Sequence, residues 1–171
     1  VLGCASDASK IGGSFTTPTH YGWWVWCPCC VEKAKGDMTL LELGAILIGF
    51  STSIGAQLAT QRVIWLTDNL AGSWDYSNGY AKNCPVRSQI VAELHAVAIK
   101  SNIDLLIEWV PREYLKRTDI LTRGGDTEFL AMKGEKRLYA APYSGESVFV
   151  FDHQAEKQMV GFSHFHPEIV R

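Results

Sequence analysis

The sequence predicts an α/β domain: a mixed sheet with helices packed on its faces. Three observations carry this. The first residues are strand-like and arranged as a meander. From about residue 37 onward, segments with helical apolar spacing alternate with short β-branched runs. The chain has 171 residues, 47% hydrophobic and 20% charged, which suits one domain with a sizeable core.

Taken in order, "VLGCASDAS" reads as a first strand and "KIGGS" as a turn. "HYGWWVW" (20–26) is aromatic-rich and reads as the next strand. "CPCCVEKAKGD" reads as a connection with room for a further short strand around Cys30 and Val31. "DMTLLELGAILIGFSTSIGAQLA" opens on Asp37 or Thr39 as N-cap. Its apolar positions Leu40, Leu43, Ile46, Leu47 and Phe50 define a buried helix that ends near Gly55. "RVIWLTD" is a strand, "NLAGSWDYSNG" a short helix or turn, and "PVRSQIVAELHAVAIKSN" a helix with Pro85 in its first turn. "IDLLIEWVP" is a strand from Ile103 to Val110, and "REYLKRTDILTR" a loop leading into a short helix. Past Gly124 the pattern weakens to two or three short strands with a turn at "YSGES", so we divide the chain into 1–123 and a C-terminal extension, 124–171.

Composition excludes several classes. No apolar run reaches the ~18 residues of a membrane span, and the N-terminus lacks the layout of a secretory signal. Five cysteines, an odd number without regular spacing, argue against a disulfide framework and for an intracellular setting, cytoplasm or nucleus. A net charge of −2 provides no general attraction to nucleic acid, so any phosphate contact must be local.

Four acids lie where such a fold could gather them. Asp7 is near the end of the first strand, Glu42 in the opening turns of the long helix, Asp68 at the tip of "RVIWLTD", and Asp119 in the last short helix. Neighbouring strand ends sit ~5 Å apart. Carboxylates crowded there repel unless cations neutralise them, and an all-oxygen donor set suits Mg²⁺ or Mn²⁺. Two such ions ~3.5–4 Å apart serve phosphoryl transfer. Each acid also has a plainer reading: Asp68 as a helix cap, Glu42 as a snorkelling or paired acid, Asp119 as a solvated acid, Asp7 as a turn residue.

The "TDN" that ends a strand, followed by "EWVPREYLKRTDILTR", resembles the ribonuclease H domain of retroelement reverse transcriptases. It is most similar to that of the DIRS-type tyrosine-recombinase retroelements, whose pattern ends W-[VI]-P-R-E…A-D-x-L-[ST]-R; Thr118 stands where Ala is usual. "SDAS" matches the first strand of that family and "LLELGAI" the helix with its essential Glu, in the right order from residue 1 to Arg123.

The resemblance implies a ribonuclease H-like mixed five-stranded sheet with helices on both faces. It implies Asp7, Glu42, Asp68 and Asp119 as catalytic ligands of two Mg²⁺ or Mn²⁺ ions, and hydrolysis of the RNA strand of RNA–DNA hybrids. A reverse transcriptase domain would belong to the same polypeptide. Asn69, Arg112, Lys116, Arg117 and Arg123 become candidates for contacting the nucleic acid.

Three departures stand out. The family's Gly-x-Gly pair leads directly into its second strand, whereas "KIGGSFTTPTHYGWW" reads as an insertion. The loop "PREYLKR" lacks the His found before the last acid in many members, leaving that role vacant or moved to Arg112 or Glu113. The basic insertion of some cellular members is also absent. The insertion, the missing His and the mildly acidic charge favour a rival reading, a catalytically silent scaffold in a larger nucleoprotein; the four mutually repelling acids oppose it. A transposase or integrase of this fold fits less well, since its Glu comes last in the chain.

Two further motifs have both a functional and a plainer reading. Cys27, Cys29 and Cys30 with His164 and His166 offer zinc-binding chemistry, although free buried cysteines are the commoner outcome. Trp23, Trp24 and Trp26 could stack bases, but strand alternation points at least half of them into a core.

Overall fold

The computed structural model describes residues 2–17, 20–26, 34–56, 62–122, 136–137, 149–152 and 158–162. Strands β1 (Leu2–Ala8), β2 (Gly12–Thr16), β3 (His20–Trp26), β4 (Arg62–Thr67) and β5 (Asp104–Trp109) form a mixed sheet in the order β5-β4-β1-β2-β3. The β1–β2 and β2–β3 pairs are antiparallel; β1–β4 and β4–β5 are parallel. The short strands β6 (Lys136–Arg137), β7 (Phe149–Asp152) and β8 (Gln158–Phe162) continue the sheet beyond β3. β6 and β8 pair with β3, and β7 pairs with β8.

The first hairpin corrects the sequence reading. "KIGGS" is not merely a turn, and "GGSFT" is not inserted: it is β2 itself, with Asp7 opposite Ser14 and Ala8 opposite Gly13. Ser9 closes the turn, its Oγ accepting from the N–H groups of Ile11 and Gly12 at 3.1 and 3.2 Å. Gly13 is required because a Cβ there would lie 2.5 Å from the Trp24 ring across the ladder. Periodicity missed β2 because its two glycines and a buried serine suppress the apolar alternation that marks a strand.

Helix α1 (Met38–Ala56) starts at Asp37, whose Oδ1 accepts from the Leu40 N–H at 3.1 Å. Residues 40 to 50 are all buried, as expected of a helix enclosed on every side. Gly49 lets it approach the sheet, since a Cβ there would meet Phe15 and Trp65 at 2.8 Å.

Helices α2 (Leu70–Asn78) and α3 (Pro85–Lys100) complete this layer. Arg87 ties α3 to Asp37 and Asp75, at 3.6 and 3.4 Å. On β2, Phe15 joins this core while its neighbour Ser14 points the other way. There Ser14 Oγ donates to the Thr118 carbonyl at 2.7 Å, anchoring α4 (Lys116–Thr122) on the opposite face. Leu121 of α4 packs with Tyr21 and Trp23 in a second small core. Helices therefore cover both faces, as the alternation along β2 dictates.

Trp23, Trp24 and Trp26 are all buried, so the base-stacking role considered for them is set aside. Trp24 and Trp26 meet edge to face, with ring centres 5.7 Å apart. Among the described residues no helix is long and apolar enough to cross a membrane. Cys4 and Cys84 are free thiols; Cys27, Cys29, Cys30, His164 and His166 lie outside the described residues, as does the strand considered around Cys30.

Candidate active site

The site is built at one end of the central strands. β1 carries Asp7 two residues from the hairpin, and β4 ends at Thr67 so that Asp68 projects just beyond the parallel ladder. Helix α1 crosses β1 and brings Glu42, one turn past its cap, over the same point. One carboxylate oxygen from each of Asp7, Glu42 and Asp68 lies within 4.8 Å of the other two. These residues are far apart in sequence, and Asp7 and Asp68 meet because β1 and β4 are adjacent and parallel.

Capping does not explain Asp68. The N-cap of α2 is Asn69, whose Oδ1 accepts from the Gly72 N–H at 2.7 Å. Asp68 is thereby left facing Asp7 and Glu42. This also commits one polar atom of Asn69, a residue proposed from the sequence to contact nucleic acid.

Asp119 is not in the three-carboxylate group. It sits at its rim, where Arg112 Nη2 donates to its Oδ1 at 3.1 Å. Its charge nevertheless raises the pKa of both Asp7 and Asp68. Arg112 opens a 3₁₀ turn (Arg112–Leu115) that Pro111 starts, and its positive charge is felt by Asp7, Glu42 and Asp68 as well as Asp119.

The electrostatics record the crowding. Burial, then the charges of Asp68 and Asp119, push Asp7 up to about 6 from 3.8; a hydrogen bond from Thr122 and the charge of Arg112 oppose this. Burial, then Asp7 and Asp68, push Glu42 up to about 9 from 4.5, against an Ala8 N–H bond and Arg112. Asp68 is raised as well, chiefly by burial.

Glu42 is 5% exposed and its Oε2 has no hydrogen-bond partner among the described residues. An orphaned buried carboxylate oxygen facing two other carboxylates is costly unless a cation completes it. The donors are all hard oxygens, so the residues present fit a divalent ion such as Mg²⁺ or Mn²⁺.

The basic candidates separate. Arg112 and Lys116 are exposed, while the Arg117 side chain and all of Arg123 lie outside the described residues. Sequence reasoning missed two residues that shape the site. Thr122 supports Asp7, its Oγ1 donating to the Asp7 carbonyl at 3.4 Å. The Trp109 indole N–H donates to the Asp68 carbonyl at 3.1 Å. Both belong to the motifs "TDILTR" and "EWVPRE", in which the acids and basic residues carry the stronger local signal.

No family model and no curated protein matches the chain. Solved structures do. RNase H1 from the halophilic archaeon Halobacterium salinarum NRC-1 is similar with a TM-score of 0.55 at 13% identity, over 69% of this chain and 91% of that one. LC11-RNase H1, solved in complex with an RNA/DNA hybrid, is similar with a TM-score of 0.58 at 14% identity, over 76% and 99%. The chain thus has a ribonuclease H-like fold: a mixed five-stranded sheet with helices. At such identity the likeness establishes architecture, and chemistry must be argued from the site.

Proposed function

We propose that this chain is a metal-dependent endonuclease that hydrolyses the RNA strand of RNA–DNA hybrids, as the ribonuclease H domain of a retroelement reverse transcriptase. The observation that carries the reading is the convergence of Asp7, Glu42 and Asp68 within 4.8 Å, with Glu42 Oε2 buried and unpartnered. The hybrid bound by LC11-RNase H1 supports the substrate class. The retroelement setting, with a reverse transcriptase domain in the same polypeptide, rests on the motifs "WVPRE" and "TDILTR".

Asp7, Glu42 and Asp68, with Asp119 at the rim, would hold two Mg²⁺ or Mn²⁺ ions. When bound, such ions activate the attacking water and neutralise the scissile phosphate. Asp7 and Asp68 supply carboxylates from two rigid strands. Glu42, protonated at neutral pH while the site is free of cations, would give up its proton to serve as a ligand. Arg112 offsets part of the negative charge that would otherwise repel a phosphate. Arg112, Lys116, Arg117, Arg123 and the free amide of Asn69 are the proposed contacts to the nucleic-acid backbone. Recognition through phosphates and 2′-hydroxyls needs no base reading.

The test is cleavage of a labelled RNA–DNA hybrid in Mg²⁺ and in Mn²⁺ by the parent chain and by Asp68→Asn. Cleavage by the parent and its loss in the variant is the expected result. A folded parent that leaves the hybrid intact, alone and joined to a reverse transcriptase domain, would favour the silent scaffold.

A further inference from the structure

One residue of "EWVPRE" is unused by the carboxylate chemistry. Trp109 ends β5 opposite Thr67 of β4 and remains 47% exposed, so filling the core is not its main contribution. Its indole N–H instead reaches the main-chain carbonyl of Asp68 at 3.1 Å.

The tip of β4 needs such a tether. Asp68 lies one residue past the end of the strand, and its carboxyl group is crowded against those of Asp7 and Glu42. Among the other bonds at the tip, the Val110 N–H donates to the Thr67 carbonyl at 2.8 Å, the Asn69 N–H to Thr67 Oγ1 at 3.1 Å, and the Gly72 N–H to Asn69 Oδ1 at 2.7 Å. These engage residues 67 and 69. Of the four, the indole bond alone engages the carbonyl of Asp68. A tryptophan suits the task because it presents an N–H donor at the far edge of a rigid ring with two side-chain torsions.

We propose that Trp109 is a positioning residue of the carboxylate site: by holding the Asp68 carbonyl, it keeps the Asp68 carboxylate where it shares a divalent cation with Asp7 and Glu42. This rests on reading the cluster as a cation site. It does not depend on which nucleic acid is cleaved.

The test is calorimetric titration of Mn²⁺ into the full chain without nucleic acid, for the parent, Trp109→Phe and Trp74→Phe. Phenylalanine keeps an aromatic ring and deletes the donor. Trp74, exposed on α2, controls for loss of a surface indole. Mn²⁺ affinity is expected to fall about fivefold in Trp109→Phe, roughly one hydrogen bond's worth, and to be unchanged in Trp74→Phe. The KM for hybrid at saturating Mn²⁺ is expected to stay at the parent value.

Unchanged Mn²⁺ affinity in Trp109→Phe overturns the proposal, and so does a raised KM without an affinity change, which makes the ring a substrate contact. Should Trp109→Phe not fold, 3-benzothienylalanine at position 109, with sulfur replacing the N–H, is judged by the same criteria. Hybrid cleavage by the parent is scored separately. A parent that binds Mn²⁺ in the expected order but cleaves no hybrid sinks the nuclease reading and leaves the positioning role standing.

Discussion

Replacing Glu42 by Gln should stabilise the cation-free protein while removing its activity. Glu42 is buried, with its pKa pushed to about 9 by burial, Asp7 and Asp68. At pH 7 the folded carboxyl keeps its proton, whereas the unfolded one has ionised near 4.5. Holding that proton across about 2.5 pH units costs the fold roughly 3 kcal/mol. Glutamine has nearly the shape of the protonated acid and carries no such cost. Allowing for imperfect hydrogen bonding of the new amide, about 1–3 kcal/mol of stabilisation is expected at pH 7, or roughly 3–10 °C in Tm.

The sign follows from a raised folded-state pKa. This contribution to stability is fully present below pH 4.5 and is lost as pH rises towards 9, by up to about 1.4 kcal/mol per pH unit. The advantage of Glu42→Gln should therefore be small near pH 4.5 and grow to pH 8. Saturating Mn²⁺ should reverse it, since the cation stabilises the parent through a ligand that the variant lacks. The assay is urea unfolding of both proteins at pH 4.5, 6, 7 and 8 with EDTA, repeated in Mn²⁺. A difference between the two proteins that does not vary with pH, or a variant less stable than the parent at pH 8 in EDTA, would refute the reasoning.

Other predictions follow from the same geometry. Asp68→Asn should lower hybrid cleavage by more than about 100-fold, because even outer partners of metal ligands cost 10–100-fold; single-turnover cleavage checks this. Gly13→Ala and Gly49→Ala each force a Cβ against a ring, Trp24 in one case and Phe15 with Trp65 in the other. Each should destabilise by about 1–3 kcal/mol in urea unfolding. Asn69→Ala removes the α2 cap and should cost about 1 kcal/mol, whereas Asn69→Ser should restore most of it. Arg112→Ala breaks a pair whose arginine side chain is 62% exposed and should change stability by less than about 1 kcal/mol. If Arg112 meets a phosphate, hybrid affinity should weaken and its salt slope fall by about 1, read by fluorescence anisotropy over a range of NaCl.

Legibility in the sequence followed the strength of local signals. Helix α1 was plain because apolar residues recur along it and Asp37 and Thr39 stand at its start; the hydrogen bond to the Leu40 N–H decides for Asp37. Strands β4 and β5 were plain because each holds a short apolar run, Val63 to Leu66 in one and Leu105 to Ile107 in the other, at strand length. β2 was hidden, since "GGSFT" owes its pairing to a close approach with Trp24 that local pattern cannot report. The residues around the acids were hidden for a related reason. The roles of Trp109 and Thr122 depend on which carbonyls lie opposite them in space.

By itself, the sequence determined the alternation of strands and helices, the placement of acids at strand tips and in helices, and the motifs that single those acids out. These are local properties, written in the spacing of apolar residues and in turn and cap chemistry. Tertiary structure alone decided that Asp7, Glu42 and Asp68 meet while Asp119 pairs with Arg112 at the rim, and that Asn69 rather than Asp68 caps α2. Those outcomes depend on the parallel register of β1 with β4 and on the crossing of α1 over β1. Distances between residues far apart in the chain are set by packing, which no local pattern encodes.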